Sequence, residues 1–116
     1  MLKGVVRFGS DCEGPPRHTH GGCIAAFADQ VMGTFVIRNR LHMYLTGSLT
    51  VNYKKITPLG SQLGWEVTLD GDFVSDWRKT KVLFEMYSLD GSRTVYATAS
   101  ALFVNAAFAT PLKAVL

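Results

Sequence analysis

The sequence predicts an α+β domain in which a curved, mostly antiparallel sheet wraps around one long central helix. Three observations carry that prediction. A stretch from Gly21 to about Arg38 is apolar on nearly every side, as a buried helix is. From Leu45 onward the apolar period changes to two, the mark of half-buried strands. Four such strands follow one another through turn signals, so the sheet is mostly antiparallel and the only helix packs on one of its faces.

The elements follow in order. Gly4-Val5-Val6-Arg7-Phe8 reads as a short strand, and Gly9 to Thr19 as a loop carrying Gly14-Pro15-Pro16. In the helix, Cys23, Ala26, Phe27, Gln30, Val31 and Thr34 fall on one side and Ile24, Ala28, Met32 and Phe35 on the other. Asn39-Arg40 ends it. Leu45, Gly47, Leu49, Val51 and Tyr53 alternate with polar residues in the second strand, and Pro58-Leu59-Gly60 turns the chain. Leu63, Trp65, Val67 and Leu69 mark the third strand, which is expected to run on through Phe73-Val74 with Gly71 at a bulge. Lys79 to Leu89 is the fourth strand, Asp90-Gly91 a hairpin signal, and Arg93 to Val104 the last strand. Residues 1–116 form one domain, with peripheral tails at 1–3 and about 106–116.

Composition narrows the function. The chain is 47% hydrophobic and 18% charged, too apolar for a disordered segment, and some of that surface is expected to meet another subunit. A net charge of +3, without a basic cluster or a basic stripe interleaved with aromatics, argues against nucleic-acid binding. Neither a signal-peptide core nor a bilayer-length apolar run is present, so a cytoplasmic protein that does not enter membranes is expected. The two cysteines, Cys12 and Cys23, are expected as free thiols. With His18 and His20 they lack a recognised zinc spacing, so no metal site is expected.

The chemistry concentrates at the start of the helix. After His20, Gly21 and Gly22 open a helix whose first N–H groups are unpaired and lie at the positive end of its dipole. An oxyanion would be held there. Asp29 is a lone carboxylate in the middle of the apolar helix, where an acid must find a partner or do chemistry. Amide donors with a half-buried acid suit attack on a carbonyl. Gly21 and Asp29, eight residues apart on one helix, are separated by about 12 Å at about 1.5 Å per residue. One carbonyl carbon cannot touch both, so donors and acid must come from different copies of the chain.

Gly14-Pro15-Pro16, His20-Gly21-Gly22, Asp29 on its helix, Thr46 to Tyr53 and Thr57-Pro58-Leu59-Gly60 together resemble the hotdog-fold acyl-CoA thioesterases of the PaaI-like subgroup. The resemblance covers roughly residues 4 to 105. It implies a hotdog dimer with composite sites, often paired into tetramers, that hydrolyses acyl-CoA to free acid and CoA. Neither metal nor other cofactor is implied, coenzyme A entering only as part of the substrate. Asp29 becomes the general base or the nucleophile, and the amide of Gly21, backed by Gly22 and the dipole, polarises the thioester carbonyl. His20 orients the loop or lines the pocket. The hydroxyl that positions water in some relatives falls on Thr46, with Ser48 an equal rival. Arg78 and Lys79 are carried as cations for the CoA phosphates, out of a set that also holds Lys54, Lys55 and Arg93. Relatives often have an Asn or Gln before the His-Gly-Gly motif, where this chain has Gly14. Two rivals stay open: a hotdog enoyl-thioester hydratase or dehydratase, and a non-catalytic acyl-CoA binding protein.

Overall fold

The computed structural model describes residues 1–71 and 77–108. Strand β1 (Leu2–Arg7) and a 3-10 turn (Ser10–Cys12) lead into helix α1 (Gly21–Arg40). Strands β2 (Tyr44–Tyr53), β3 (Gln62–Leu69), β4 (Lys79–Ser88) and β5 (Val95–Asn105) follow, and a second 3-10 turn (Ala106–Phe108) closes the described chain. The strands form one sheet in the order β1-β3-β4-β5-β2. Every pairing is antiparallel, but only β3–β4 and β4–β5 pair as consecutive strands. β2 pairs with β5 and β1 with β3, so the turn after β2 is not the hairpin the sequence suggested.

Alternation along β4 and β5 explains where the helix sits. Val82, Phe84 and Met86 point inward from β4, and Ala97, Ala99, Ala101 and Phe103 from β5. Three alanines in a row leave room for a helix to approach closely, and Ile24, Ala28, Met32, Phe35 and Val36 of α1 fill the space. Each large side chain buried this way contributes about 1.5–3 kcal/mol. Phe27 anchors the other flank, edge-on to Phe8, Trp65 and Phe84 at 5.8, 5.7 and 6.2 Å between ring centroids.

Several boundaries differ from expectation, each for a reason outside the local pattern. The helix runs on to Arg40, because Arg40 is buried: its Nε donates to Thr80 Oγ1 at 3.2 Å and its guanidinium lies over the Trp77 ring. It ends at Leu41, left-handed at φ 59°, whose N–H reaches Ile37 O. β1 starts at Leu2, pairing with Val67. β5 starts only at Val95, since Asp90 accepts hydrogen bonds from the Ser92 N–H and from the Ser88 and Ser92 hydroxyls, prolonging the turn. Phe73-Val74 lies outside the described residues. The sheet covers one face of α1, leaving Ala26, Gln30 and Ile37 exposed; an all-round apolar helix is here half covered.

Candidate active site

The first turn of α1 assigns its four N–H groups unequally. His20 is the N-cap, and its Nδ1 accepts the Gly22 N–H at 2.8 Å. The N–H groups of Cys23 and Ile24 both reach His20 O. Only the Gly21 N–H has no acceptor among the described residues. The sequence leaves the first N–H groups of the helix unpaired, but in the structure the Gly22 N–H is spent on the cap. Since Nδ1 accepts, the neutral imidazole of His20 carries its proton on Nε2. A Cβ at Gly22 would stand 3.0 Å from that ring, so Gly22 is small to admit the cap.

Gly21 is small for a different reason. The Tyr53 hydroxyl donates to Gly21 O at 2.7 Å, and a Cβ at Gly21 would meet the Tyr53 ring at 3.2 Å. The end of β2 is thus clamped onto the start of α1. Gly14 also packs tightly, for a Cβ there would lie 3.0 Å from the His20 Cα. That backbone approach explains why no amide side chain stands at Gly14.

Asp29 is half-buried and accepts a 2.7 Å hydrogen bond from Thr46 Oγ1. It makes no ion pair among the described residues; Arg40, on the same helix, points instead to Thr80 and Trp77. Thr46 and Ser48 are no longer equivalent. Gly47 is a bulge: Thr46 pairs with Phe103 and Ser48 with Leu102, neighbours on β5 that face opposite ways. Thr46 therefore joins Asp29 on the helix side, and Ser48 lies with Lys81, Ser100 and Leu102 on the outer face. Without the bulge, residues two apart would share a face.

A groove of about 390 Å³ opens beside Gly21, lined by Pro15, His18, Ile24 and Tyr53 with Lys54 and Lys55 at its side. Both lysine amides are held by Tyr96 O, at 2.8 and 3.1 Å, while their side chains stay exposed. Tyr53 in its clamping role, and the placement of these two lysines, escape sequence reasoning, because only the β2–α1 contact brings them to Gly21. Arg78 and Lys79 are exposed at the start of β4, toward the Tyr44 end of β2 and away from this groove. Arg93 is engaged elsewhere, paired with Glu66 at 3.3 Å and stacked on Tyr87 at 4.0 Å. Among the described residues no group of three or more His, Cys, Asp or Glu side chains could hold a metal ion. None of their helices is long and apolar enough to cross a membrane.

No family model matches the chain. It is 35% identical over 94 residues to the acyl-coenzyme A thioesterase THEM4 of Xenopus laevis, across 80% of this chain. The chain spans about 40% of that relative's length. Its fold superposes on a solved thioesterase superfamily protein with a TM-score of 0.76 and 28% identity, over 89% of this chain and 48% of that one. This chain has the hotdog fold of the thioesterases. The hotdog arrangement also matches a Streptococcus mutans UA159 protein solved with acetyl CoA: TM-score 0.78, 18% identity, 90% of this chain and 79% of that one. Within this hotdog domain, Gly21 and Asp29 sit at separated positions along one helix. Each is held by a different end of β2, through Tyr53 and Thr46 respectively.

Proposed function

We propose that this protein hydrolyses acyl-CoA thioesters, with Asp29 as general base or nucleophile and the Gly21 N–H polarising the thioester carbonyl. One observation supports this reading above the others: a single unpaired amide at a helix N-terminus, beside a groove, in a chain whose only mid-helix acid is already oriented by a hydroxyl. The hydration reading lacks such support, since His20 Nδ1 is committed to the cap. Incubation with a panel of acyl-CoAs and a thiol reagent tests the assignment. Release of free CoA supports it. Hydration of an enoyl-CoA without thiol release, or binding without reaction, overturns it. Turnover is expected to survive strong chelators, because no step uses a metal.

The site needs two copies of the chain. β2 is an edge strand, with one row of N–H and C=O groups unpaired. Thr46, near one end, holds Asp29, and Tyr53, at the other, holds Gly21. Antiparallel pairing of two β2 strands about a two-fold axis sets the Tyr53 end of one beside the Thr46 end of the other. Gly21 of one protomer then faces Asp29 of its partner, twice. Homodimers with composite sites follow, and assembly of two dimers would leave both sites intact. We place the protein in the PaaI-like subgroup on the same residues, and in the cytoplasm, where acyl-CoA is available.

Thr46→Val removes the hydrogen bond to Asp29 and is expected to lower kcat about tenfold or more, since bonds to charged groups contribute about 1.5–3 kcal/mol. Thr46→Ser should keep most of the rate, and Ser48→Ala, on the outer face, should change little. Equal losses in the Thr46→Val and Ser48→Ala variants would remove Thr46 from its positioning role.

For the phosphates, Lys54 and Lys55 line the groove beside Gly21 of their own chain, while Arg78 and Lys79 lie at the Tyr44 end of β2. Reversing both charges (Lys54→Glu with Lys55→Glu) is expected to raise KM for an acyl-CoA about tenfold at low salt. KM for the N-acetylcysteamine thioester of the same acid, which carries no phosphate, should stay unchanged. A parallel rise for both substrates would show that the lysines act on structure and not on phosphate.

A further inference from the structure

Cys12 and Cys23 are the only cysteines of the chain, and the fold pins both to the same residue. Cys12 closes the 3-10 turn, and its C=O accepts the His20 N–H at 2.7 Å. The C=O of His20 in turn accepts the Cys23 N–H at 3.0 Å, in the first turn of α1. Both side chains are half-buried at the rim of the core, and both are free thiols. The neighbouring Cys23 sulfur, with burial behind it, holds the Cys12 thiol above the usual range.

We propose that Cys12 and Cys23 form a thiol–disulfide exchange site that reacts with low-molecular-weight disulfides of the glutathione class and closes to an intramolecular disulfide. Cys23, in the first turn of α1, makes the first attack as its thiolate, the form that reacts with a disulfide. A bond forms to one glutathione sulfur, the glutathione S–S bond breaks, and one glutathione leaves. Cys12 then gives up its proton and attacks the Cys23 sulfur, expelling the second glutathione. Two protein thiols are oxidised and one glutathione disulfide is reduced to two thiols, each of which takes up a proton. The bridge ties the loop that carries Pro15 and His18 of the groove wall to the helix start, two residues from Gly21. None of this depends on the hydrolytic reading.

The experiment equilibrates the purified wild-type protein in buffers of rising glutathione disulfide to glutathione ratio, blocks remaining thiols with an alkylating agent, and measures intact mass. A species lighter by two hydrogens, with no alkylated cysteine and a mapped Cys12–Cys23 cross-link, is expected, and dithiothreitol should return it to the doubly alkylated form. Two thiols alkylated at every ratio, stable glutathione adducts on the wild type, or a disulfide between chains would each overturn the proposal. Cys12→Ser should instead trap one glutathione on Cys23, because no second thiol expels it; an unmodified variant would overturn the assigned order of attack. The oxidised wild type should melt at least about 5 °C above the reduced protein, as closing a loop constrains the unfolded chain. Identical melting of the two forms would show that the bridge does not secure the loop.

Discussion

Asp29→Asn is expected to lower acyl-CoA hydrolysis at least about a hundredfold while leaving the fold intact. The amide is nearly isosteric with the carboxylate, and Thr46 Oγ1 can still donate to the remaining carbonyl oxygen, as it now donates to Asp29 Oδ1 at 2.7 Å. What disappears is the capacity to take a proton from water or to attack the thioester carbon. Binding of substrate should persist, because Lys54, Lys55 and the Gly21 amide are untouched. The measurement is kcat with an acyl-CoA beside the melting temperature of both proteins. An Asn variant that turns over at the wild-type rate would move the chemistry to another group.

Mixing two inactive variants, Asp29→Asn and Gly21→Pro, is expected to restore about a quarter of wild-type activity if subunits exchange at random. Half of the dimers are then mixed, and each holds one site with both the amide and the carboxylate intact. Gly21→Pro removes the unpaired N–H at a position where the first helical turn accepts proline. Its ring approaches Tyr53, whose half-exposed side chain has solvent into which to shift. The outcome is specific to the proposed antiparallel pairing of two β2 edges, for a parallel arrangement would bring like ends together and leave amide and acid apart. Exchange demonstrated by mass spectrometry of differently tagged subunits, with no recovered activity, would count against the composite site.

Much of this protein was legible in the sequence because its signals are local. The switch from an all-apolar helix to period-two alternation at Leu45 predicts one helix and four strands in order, whereas the pairing of β2 with β5 and of β1 with β3 is decided by packing. His20-Gly21-Gly22 and Asp29 mark the helix start and its lone acid from composition alone, and the eight residues between Gly21 and Asp29 set them about 12 Å apart along it. Other features depend on what the elements meet. The Gly22 amide is lost to His20 because the cap geometry directs Nδ1 to it, and no residue pattern distinguishes the two glycine amides. Thr46 and Ser48 look alike until the Gly47 bulge turns them to opposite faces of β2. Surface lysines have no periodic signature, so Lys54 and Lys55 enter the site only through the clamp of Tyr53 on Gly21, a contact 32 residues apart in the chain. The period of burial is written along the chain, whereas hydrogen-bond partners and the facing of bulged residues are settled by packing between segments that sequence proximity does not connect.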